Sequence, residues 1–134
     1  MTYLLDTNTV IAMLDPARRR RVMARISTRS PGQVVTSAIV AHEMYFGAHR
    51  STRREANLSE LRMLFRDIDP VPFTADDGVA AGQIRAELAA VGTPIGPYDL
   101  LIAGQARARG AMLVTNNTQE FGRVDDLAVV DWTV

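Results

Sequence analysis

The sequence predicts an α/β protein, a three-layer α/β/α sandwich with a parallel central sheet, and we expect residues 1–134 to form a single domain. Short apolar runs typical of buried strands alternate with longer segments of helical spacing. The two clearest runs, Tyr3-Leu4-Leu5 and Ala111 to Thr115, each lead into polar residues. Strands that alternate with helices pair in parallel, because each crossover helix carries the chain back to the same end of the sheet.

The first half of the chain opens with a strand, and Asp6 follows it in a tight turn that leads into a helix. Asp15-Pro16 predicts the start of the next helix, with Asp as the cap and Pro at the first helical position. Ser37 is suited to cap the helix from Ala38 to about Arg50, whose apolar residues on nearly all sides predict burial on more than one side. The predicted elements are a strand at 3–5, a helix after Asp6, a helix at 15–27, a strand at 33–36, and helices at 38–50 and 51–66.

The second half alternates strands and helices in the same way. Val71-Pro72-Phe73 predicts a brief strand at an edge of the sheet, because proline cannot donate a ladder hydrogen bond. Thr74 to Asp77 resembles a capping box with Asp in place of the usual Glu, and Gly92 fits the end of the helix that follows. The further elements are a helix from Tyr98 that stops at Gly110, a strand at 111–115, a polar turn or short helix at 116–121, and a strand at 127–130.

Cysteine and lysine are both absent from the chain, and histidine occurs only twice. The lack of cysteine excludes disulfides, thiolate zinc sites and cysteine nucleophiles, and the lack of lysine excludes a Walker-type phosphate loop and a Schiff base. A metal here would therefore be held by oxygen atoms. No apolar run approaches the roughly 20 residues of a membrane span, and no signal peptide pattern marks the start, so we expect a cytoplasmic protein without a membrane partner.

The formal net charge is zero, but the charges are divided unevenly along the chain. Residues 1–66 carry eleven arginines and five acids, a balance of +6, whereas residues 67–134 carry four arginines and ten acids, a balance of −6. Basic, solvated helices are one interpretation of this division. The other is an arginine-lined approach to an acidic centre, which suits a phosphate-rich substrate because arginine binds phosphate oxygens with two donors at once.

Three acids, Asp6, Glu43 and Asp99, occupy positions that suggest chemistry. Asp6 follows the first strand, Glu43 lies within an apolar helix, and Asp99 lies in the first turn of a helix. In a parallel sheet the carboxyl ends of the strands form the edge at which ligands bind. Each acid also has an ordinary explanation: a helix cap for Asp6, a buried ion pair with an arginine for Glu43, and attraction to the helix dipole for Asp99.

The polar turn after the second clear strand adds Asn116, Asn117 and Glu120, for which surface amides and a solvated acid are the ordinary explanations. Three acids that meet without a metal would repel one another and raise the pKa of one of them. A bound Mg²⁺ or Mn²⁺ removes that conflict. We therefore predict a divalent-metal site whose first ligand is Asp6.

Several segments of the chain carry motifs that occur together in one known family. These segments are Tyr3–Asn8, Ser37–Gly47, Gly82–Leu88, Gly92–Asp99 and Val114–Phe121. Together they resemble the motifs of PIN-domain proteins of the VapC toxin type, and the similarity spans essentially the whole chain. The long match that ends at Asp99 is highly specific, whereas the opening motif alone is weak.

The resemblance implies a PIN-like fold and the toxin of a type II toxin–antitoxin system, an endoribonuclease that uses Mg²⁺ or Mn²⁺ to hydrolyse RNA, with tRNA as a candidate substrate. A VapB-type antitoxin would neutralise it, and a homodimer within a larger toxin–antitoxin assembly is implied as well. Any contact with DNA would be indirect, through the antitoxin.

The resemblance also assigns roles to residues. Asp6 and Asp99 are the implied metal ligands, and Glu43 is a further catalytic acid that either binds the metal directly or acts through water. Many PIN domains have Asp where this chain has Asn117, so the fourth acidic role is either lost, taken by Glu120 as a further catalytic acid, or supplied by a water network. The residues expected to support these acids, partly by orienting water, are Thr7, Asn8, Thr115 and Asn117.

Two rival interpretations remain. Asp6 to Val10 resembles the opening of haloacid-dehalogenase-like phosphatases, but Asn8 replaces the second Asp and no lysine is present to balance a phospho-aspartate. The other rival is a metal-free or decayed PIN-like module that binds RNA or an antitoxin without nuclease activity. The intact acids Asp6, Glu43 and Asp99 argue against this second rival.

Overall fold

A five-stranded sheet lies at the centre of the computed structural model, which describes residues 1–134. The strands are β1 (Tyr3–Leu5), β2 (Val34–Ser37), β3 (Asp69–Val71), β4 (Met112–Val114) and β5 (Val129–Val130). Their order is β3-β2-β1-β4-β5, and every neighbouring pair is parallel. Consecutive strand residues point to opposite faces, and both Leu4 and Leu5 are fully buried, so both faces of the sheet are covered. The predicted α/β/α architecture is confirmed.

The strand order reverses next to β1, and this reversal sets the place of the candidate site. The chain runs outward from β1 through β2 to β3, then crosses to β4 on the other side of β1 and continues to β5. Ligands bind to such sheets at the carboxyl ends of the strands, where the order reverses. Asp6 directly follows β1 and Thr115 directly follows β4, so both residues lie at that point.

The strands are connected by helices, which supply most of the remaining core. The helices are α1 (Thr7–Leu14), α2 (Arg19–Ser27), α3 (Ala38–Arg50), α4 (Arg54–Asp67), α5 (Ala75–Ala90), α6 (Pro97–Ala108) and α7 (Thr118–Phe121). The predicted caps form: the Ser37 hydroxyl accepts from the N–H of Ile39, and Thr74 and Asp77 make a capping box at the start of α5. No helix combines the length and the apolar character that crossing a membrane requires.

Two contacts, one within α6 and one just after its end, hold α6 in position near α5. A Cβ atom on Gly104 of α6 would lie 2.6 Å from the backbone of Ala81 in α5, closer than real Cβ atoms approach. Just after α6, the Arg109 guanidinium donates to Oδ2 of Asp77 at 3.0 Å and to the carbonyl of Pro72 at 2.7 Å. These contacts set the position of the helix whose first turn carries Asp99.

The predicted start of the second helix was wrong by three residues, because α2 begins at Arg19 rather than at Pro16. Asp15 instead ends α1, and its carboxylate accepts from the N–H of Ala17 and pairs with Arg18 at 2.8 Å. Such a local bond from an Asp side chain to the backbone two residues on favours a turn over a helix. The other element boundaries differ from the predictions by at most three residues.

Helix α3 is less buried than its apolar composition predicted. Its buried residues are Val40, Ala41 and Ala48, whereas Phe46 is 58% exposed. One face of α3 packs on the protein and the opposite face is open to solvent, so the expectation of burial on more than one side was wrong. The predicted edge strand is indeed at the edge of the sheet, as β3, but it lies two residues earlier.

Candidate active site

Asp6 lies at the carboxyl end of β1 and is only 2% exposed. Its Oδ1 accepts from the N–H of Thr9 at 2.8 Å, so it caps α1, and the Thr9 hydroxyl donates to the carbonyl of Val114 at 2.9 Å. Burial raises the pKa of the Asp6 carboxyl, the hydroxyl of Thr115 and the donors of Thr9 oppose that rise, and the charge of Glu43 adds to it. Asp6 is therefore both a helix cap and a buried acid that feels a second carboxylate.

Glu43 projects from α3, where it is half-buried. The hydroxyl of Thr7 donates to its Oε1 at 2.7 Å, which joins the first turn of α1 to α3. The ion pairs of the structure are Arg18–Asp15, Arg107–Glu87 and Arg109–Asp77. Glu43 thus has a neutral hydroxyl partner, and the alternative of a buried ion pair with an arginine was wrong.

Asp99 lies in the first turn of α6, two residues after Pro97. Burial, followed in decreasing order by the charges of Glu120, Asp6 and Glu43, together raise its pKa to about 6. A helix N-terminus by itself would stabilise a carboxylate. Repulsion by three other acids, together with burial, outweighs that effect here, so the four acids belong to one electrostatic cluster.

Glu120, in α7, is held through both of its carboxylate oxygens. Oε1 accepts from the N–H of Gly96 at 3.1 Å, and Oε2 accepts from Nδ2 of Asn117 at 2.6 Å. The Asn117 N–H donates in turn to Oγ1 of Thr115 at 3.0 Å. Asn117 therefore binds Glu120 directly, and Glu120 links α7 to the residue just before the helix that carries Asp99.

The other predicted support residues differ in their surroundings. Thr7 and Thr115 contact the acidic cluster, as described above. Asn8 and Asn116 are exposed, and neither side chain makes a hydrogen bond within the chain. The structure therefore brings Thr7, Thr115 and Asn117 to the acids but leaves Asn8 at the surface.

The donors of the cluster suit a hard divalent cation, because carboxylate oxygens are the ligands that Mg²⁺ and Mn²⁺ prefer. Mutual repulsion also indicates that positive charge is missing from the cluster. However, no three carboxylates or imidazoles are arranged closely enough to form a ready metal-binding group. The chemistry of the residues fits such an ion, while their positions do not yet form a complete set of ligands.

Two features beside the acids were not predicted. A cavity of about 490 Å³ lies between α1, α3 and α4, and Thr7 and Glu43 form part of its wall. In addition, the rings of His42 and Tyr98 meet edge to face, with centroids 5.2 Å apart. Each ring directly precedes an acid in the sequence, which is the signal that could have indicated their place at the rim of the site.

Comparison with known proteins supports the resemblance to PIN-domain proteins that the sequence motifs indicated. The family model for the PIN domain matches residues 3–127. A tRNA(fMet)-specific endonuclease VapC from Shigella flexneri is 38% identical over 133 residues, which cover 99% of each protein. A ribonuclease VapC2 from Haemophilus influenzae is 33% identical over 132 residues, which cover 98% of each protein.

Two solved structures resemble the whole chain. A DNA-bound VapBC complex from Salmonella typhimurium matches with a TM-score of 0.93 and 35% identity, over 98% of both chains. VapBC-1 from nontypeable Haemophilus influenzae matches with a TM-score of 0.92 and 32% identity, over 100% of both chains. The chain belongs to the PIN-domain family, in its VapC branch, and the predicted resemblance is confirmed.

Proposed function

We propose that this protein is the toxin of a type II toxin–antitoxin pair, a divalent-metal-dependent endoribonuclease that hydrolyses RNA phosphodiester bonds. Residues 1–134 form one PIN domain, which acts in the cytoplasm. The observation that carries it is the electrostatic coupling of four acids at one edge of the sheet, in a chain of the VapC branch. Because the Shigella flexneri relative is a tRNA(fMet)-specific endonuclease, tRNA is the candidate substrate.

Mg²⁺ or Mn²⁺ is the proposed cofactor, with Asp6 and Asp99 as the residues that would hold it and Glu43 and Glu120 as further candidates. A divalent ion bound there supplies positive charge against the phosphate and lowers the pKa of a bound water. The raised pKa values of Asp6 and Asp99 support this assignment, because a nearby cation would stabilise the ionised form of both acids.

Glu43 is the proposed general base. The Thr7 hydroxyl holds its Oε1, and Oε2 has no hydrogen-bond partner within the chain, so Oε2 is available to accept a proton from water. The donors of Thr9 and Thr115 stabilise Asp6 as a carboxylate despite its burial. Through Gly96, Glu120 keeps the first turn of α6 in place and with it Asp99.

The proposed partner is a VapB-type antitoxin whose basic or apolar tail covers the acidic cluster and places an arginine near it. Support comes from the structural neighbours, which are VapBC complexes. The protein is proposed to form a homodimer within a larger assembly, and DNA would be contacted only by the antitoxin. An arginine of the partner would supply the cation that the cluster lacks within the chain, since no arginine of this chain pairs with Asp6, Glu43 or Asp99.

A metal-free module that binds RNA or antitoxin without cleavage is the second candidate. The observation that favours it is the lack of three acids arranged closely enough to form a metal-binding group. Binding of RNA with no cleavage in either Mg²⁺ or Mn²⁺ would support this candidate over the nuclease.

The proposed function is tested by incubating the purified protein with tRNA in Mg²⁺, in Mn²⁺ and in EDTA. New RNA ends are expected in the presence of metal and not in EDTA, and equal cleavage in EDTA would contradict the metal dependence. The Asp99→Asn variant, purified in parallel, controls for a contaminating nuclease. Expression of the chain alone should stop growth, and co-expression of a small neighbouring antitoxin gene should restore it.

A further inference from the structure

Two aromatic rings stand at the rim of the acidic cluster without a role in the core. His42 precedes Glu43 and Tyr98 precedes Asp99, and the two rings contact each other across the gap between α3 and α6. Tyr98 is 46% exposed, His42 is also exposed, and neither side chain makes a hydrogen bond within the chain. Large aromatic side chains are mostly buried, and their polar groups usually have hydrogen-bond partners. Two exposed rings without such partners therefore suggest that a molecule outside the chain binds them.

The same face of α3 continues away from the acids. Phe46 and Arg50 follow His42 at intervals of four residues, which places all three on one side of the helix at steps of about 6 Å. The Arg50 guanidinium lies 5.4 Å from the centroid of the Phe46 ring. We call the set of Tyr98, His42, Phe46 and Arg50 the aromatic stripe.

The far end of the aromatic stripe is positively charged. After Arg50, the turn into α4 carries Arg53 and Arg54, both exposed, against the single acid Glu55. A second copy of this face would bring cations against cations, whereas a polyanion would be attracted to it. The stripe therefore combines stacking surfaces next to the acids with cations further away, which is the composition of surfaces that bind single-stranded nucleic acid.

We infer that the aromatic stripe binds unpaired bases of the RNA substrate beside the bond to be cut. Tyr98 stacks the base nearest the acids, with the His42 ring edge to face against it, Phe46 stacks a neighbouring base, and Arg50 binds a phosphate. A base inside a duplex offers no free face for such stacking, so the stripe selects a single strand or a loop. This inference rests on the proposed function, since it names how that site holds its RNA.

The test measures RNA binding separately from cleavage. Fluorescence anisotropy in EDTA gives the Kd of a labelled single-stranded RNA and of the same sequence as a blunt duplex. The variants Tyr98→Leu and Phe46→Leu keep an apolar side chain but remove the ring, and Tyr98→Phe keeps the ring. Val79→Ala on the exposed surface of α5 is the matched control.

Each Leu variant is expected to weaken binding of the single strand by roughly 5- to 150-fold, the range measured for loss of one stacked base. Tyr98→Phe and Val79→Ala should bind as the parent does, and duplex binding should change in none of them. With metal added, the Leu variants should raise KM more than they lower kcat, because stacking binds substrate and transition state alike. Thermal midpoints establish that each variant is folded.

Arg50→Gln, compared with Arg62→Gln in α4, tests the charged end. Loss of Arg50 should reduce the dependence of binding on salt, while loss of Arg62 should leave it unchanged.

If the parent binds and cleaves RNA and the Leu variants do so equally well, the inference about the aromatic stripe is wrong and the proposed function stands. If the parent neither binds nor cleaves RNA, the proposed function fails and the stripe with it. If the Leu variants turn a dimer into monomers in light scattering without loss of binding per chain, the face is an interface between copies instead.

Discussion

Asp6 and Asp77 are both buried aspartates whose side chains cap a helix, and their pKa values shift in opposite directions. Asp6 is 2% exposed and Asp77 is 1% exposed. Burial acts to raise the pKa of each carboxyl, but at Asp77 the hydrogen bonds and charge of Arg109, together with Thr74, lower the pKa below its usual value. At Asp6 the hydrogen bonds of Thr115 and Thr9 do not overcome burial, and Glu43 adds repulsion.

The charge of Asp77 is thus balanced within the chain, whereas the charge of Asp6 is not. Asp77 has its counter-ion within the chain, at 3.0 Å, and so needs no ligand. Asp6 and Asp99 lack one, and their raised pKa values mean that ionising either carboxyl costs stability. Burial alone does not distinguish the two cases, whereas the sign of the neighbouring charges does.

The largest expected effect is the loss of RNA cleavage in the variants Asp6→Asn and Asp99→Asn. Each should reduce the rate by roughly 100-fold or more, because a charge that stabilises the reacting phosphate or its cation is lost. Neither should lower the thermal midpoint measured in EDTA, since removal of one charge relieves repulsion within the cluster. Asp76→Asn, at an exposed acid next to Asp77, is the control for both measurements. A large drop in the thermal midpoint of Asp99→Asn would show that Asp99, like Asp77, stabilises the fold.

Asp77→Asn should have the converse effect. It should lower the free energy of unfolding by about 1–3 kcal/mol, because the partly exposed ion pair with Arg109 is lost, whereas Asn can still cap the helix as Asp does. Cleavage per folded molecule should be unchanged, as Asp77 lies outside the acidic cluster. Urea unfolding and an RNA cleavage assay measure the two quantities, and lost activity in a fully folded variant would contradict the assignment.

The pH dependence of stability should differ between the parent and Asp99→Asn. The pKa of Asp99 is about 6 in the folded chain, above its unfolded value, so the folded state binds the proton more tightly. The parent should therefore gain stability relative to the variant as pH falls from 7 to 5 in EDTA, by about 1 kcal/mol after a discount for solvent screening. Saturating Mn²⁺ should remove this gain if the ion binds at Asp99, and a gain that persists in Mn²⁺ would place the ion elsewhere.

The smallest expected effects concern Asn117 and Glu120. Asn117→Ala should cost roughly 10-fold in rate, because Glu120 loses one of its two donors. Glu120→Gln should weaken Mn²⁺ binding more than Asn117→Ala does if Glu120 is the fourth acid, and calorimetry measures both. If the Glu120→Gln variant binds Mn²⁺ as tightly as the parent, Glu120 serves only to hold Gly96, and the site is built on three acids.

Asn117→Asp sharpens the same question. The new carboxylate would lie against Oε2 of Glu120, where the Asn117 amide is now 2.6 Å away. In EDTA this repulsion should lower the thermal midpoint, and in Mn²⁺ the added charge should tighten binding. A midpoint that is unchanged in EDTA would show that the two side chains separate when both are charged.

The fold could be predicted because its strongest signals are local. The apolar run before Asp6 and the caps at Ser37 and Thr74 depend on residues within one turn of each other. The start of α2 could not be predicted, since the carboxylate of Asp15 accepts from the Ala17 N–H and competes with the expected helix. Local pattern was therefore sufficient for the architecture, and failed where a side chain competes with the backbone.

The candidate site was predictable only in part. The position of Asp6 follows from the rule that strand ends share an edge, and Glu43 stands out as an acid in an apolar helix. Asp99 follows no strand and was indicated by the motif that ends with it. The link from Glu120 to Gly96 joins residues 24 apart along the chain, and no local pattern indicates it. The exposure of Phe46 was also missed, because composition does not reveal which apolar face of a helix is left uncovered.

The close contact at Gly104 gives the acidic cluster a mechanical dependence on a distant point. A side chain at Gly104 cannot fit against Ala81 unless α5 and α6 move apart, because its Cβ would come within 2.6 Å of the Ala81 backbone. Since Gly104 and Asp99 lie on the same helix, such a separation would also move the acid at its first turn. Because Gly104 has no side chain, α5 and α6 can pack closely, and this helix spacing sets the distance between Asp99 and Asp6 at the end of β1.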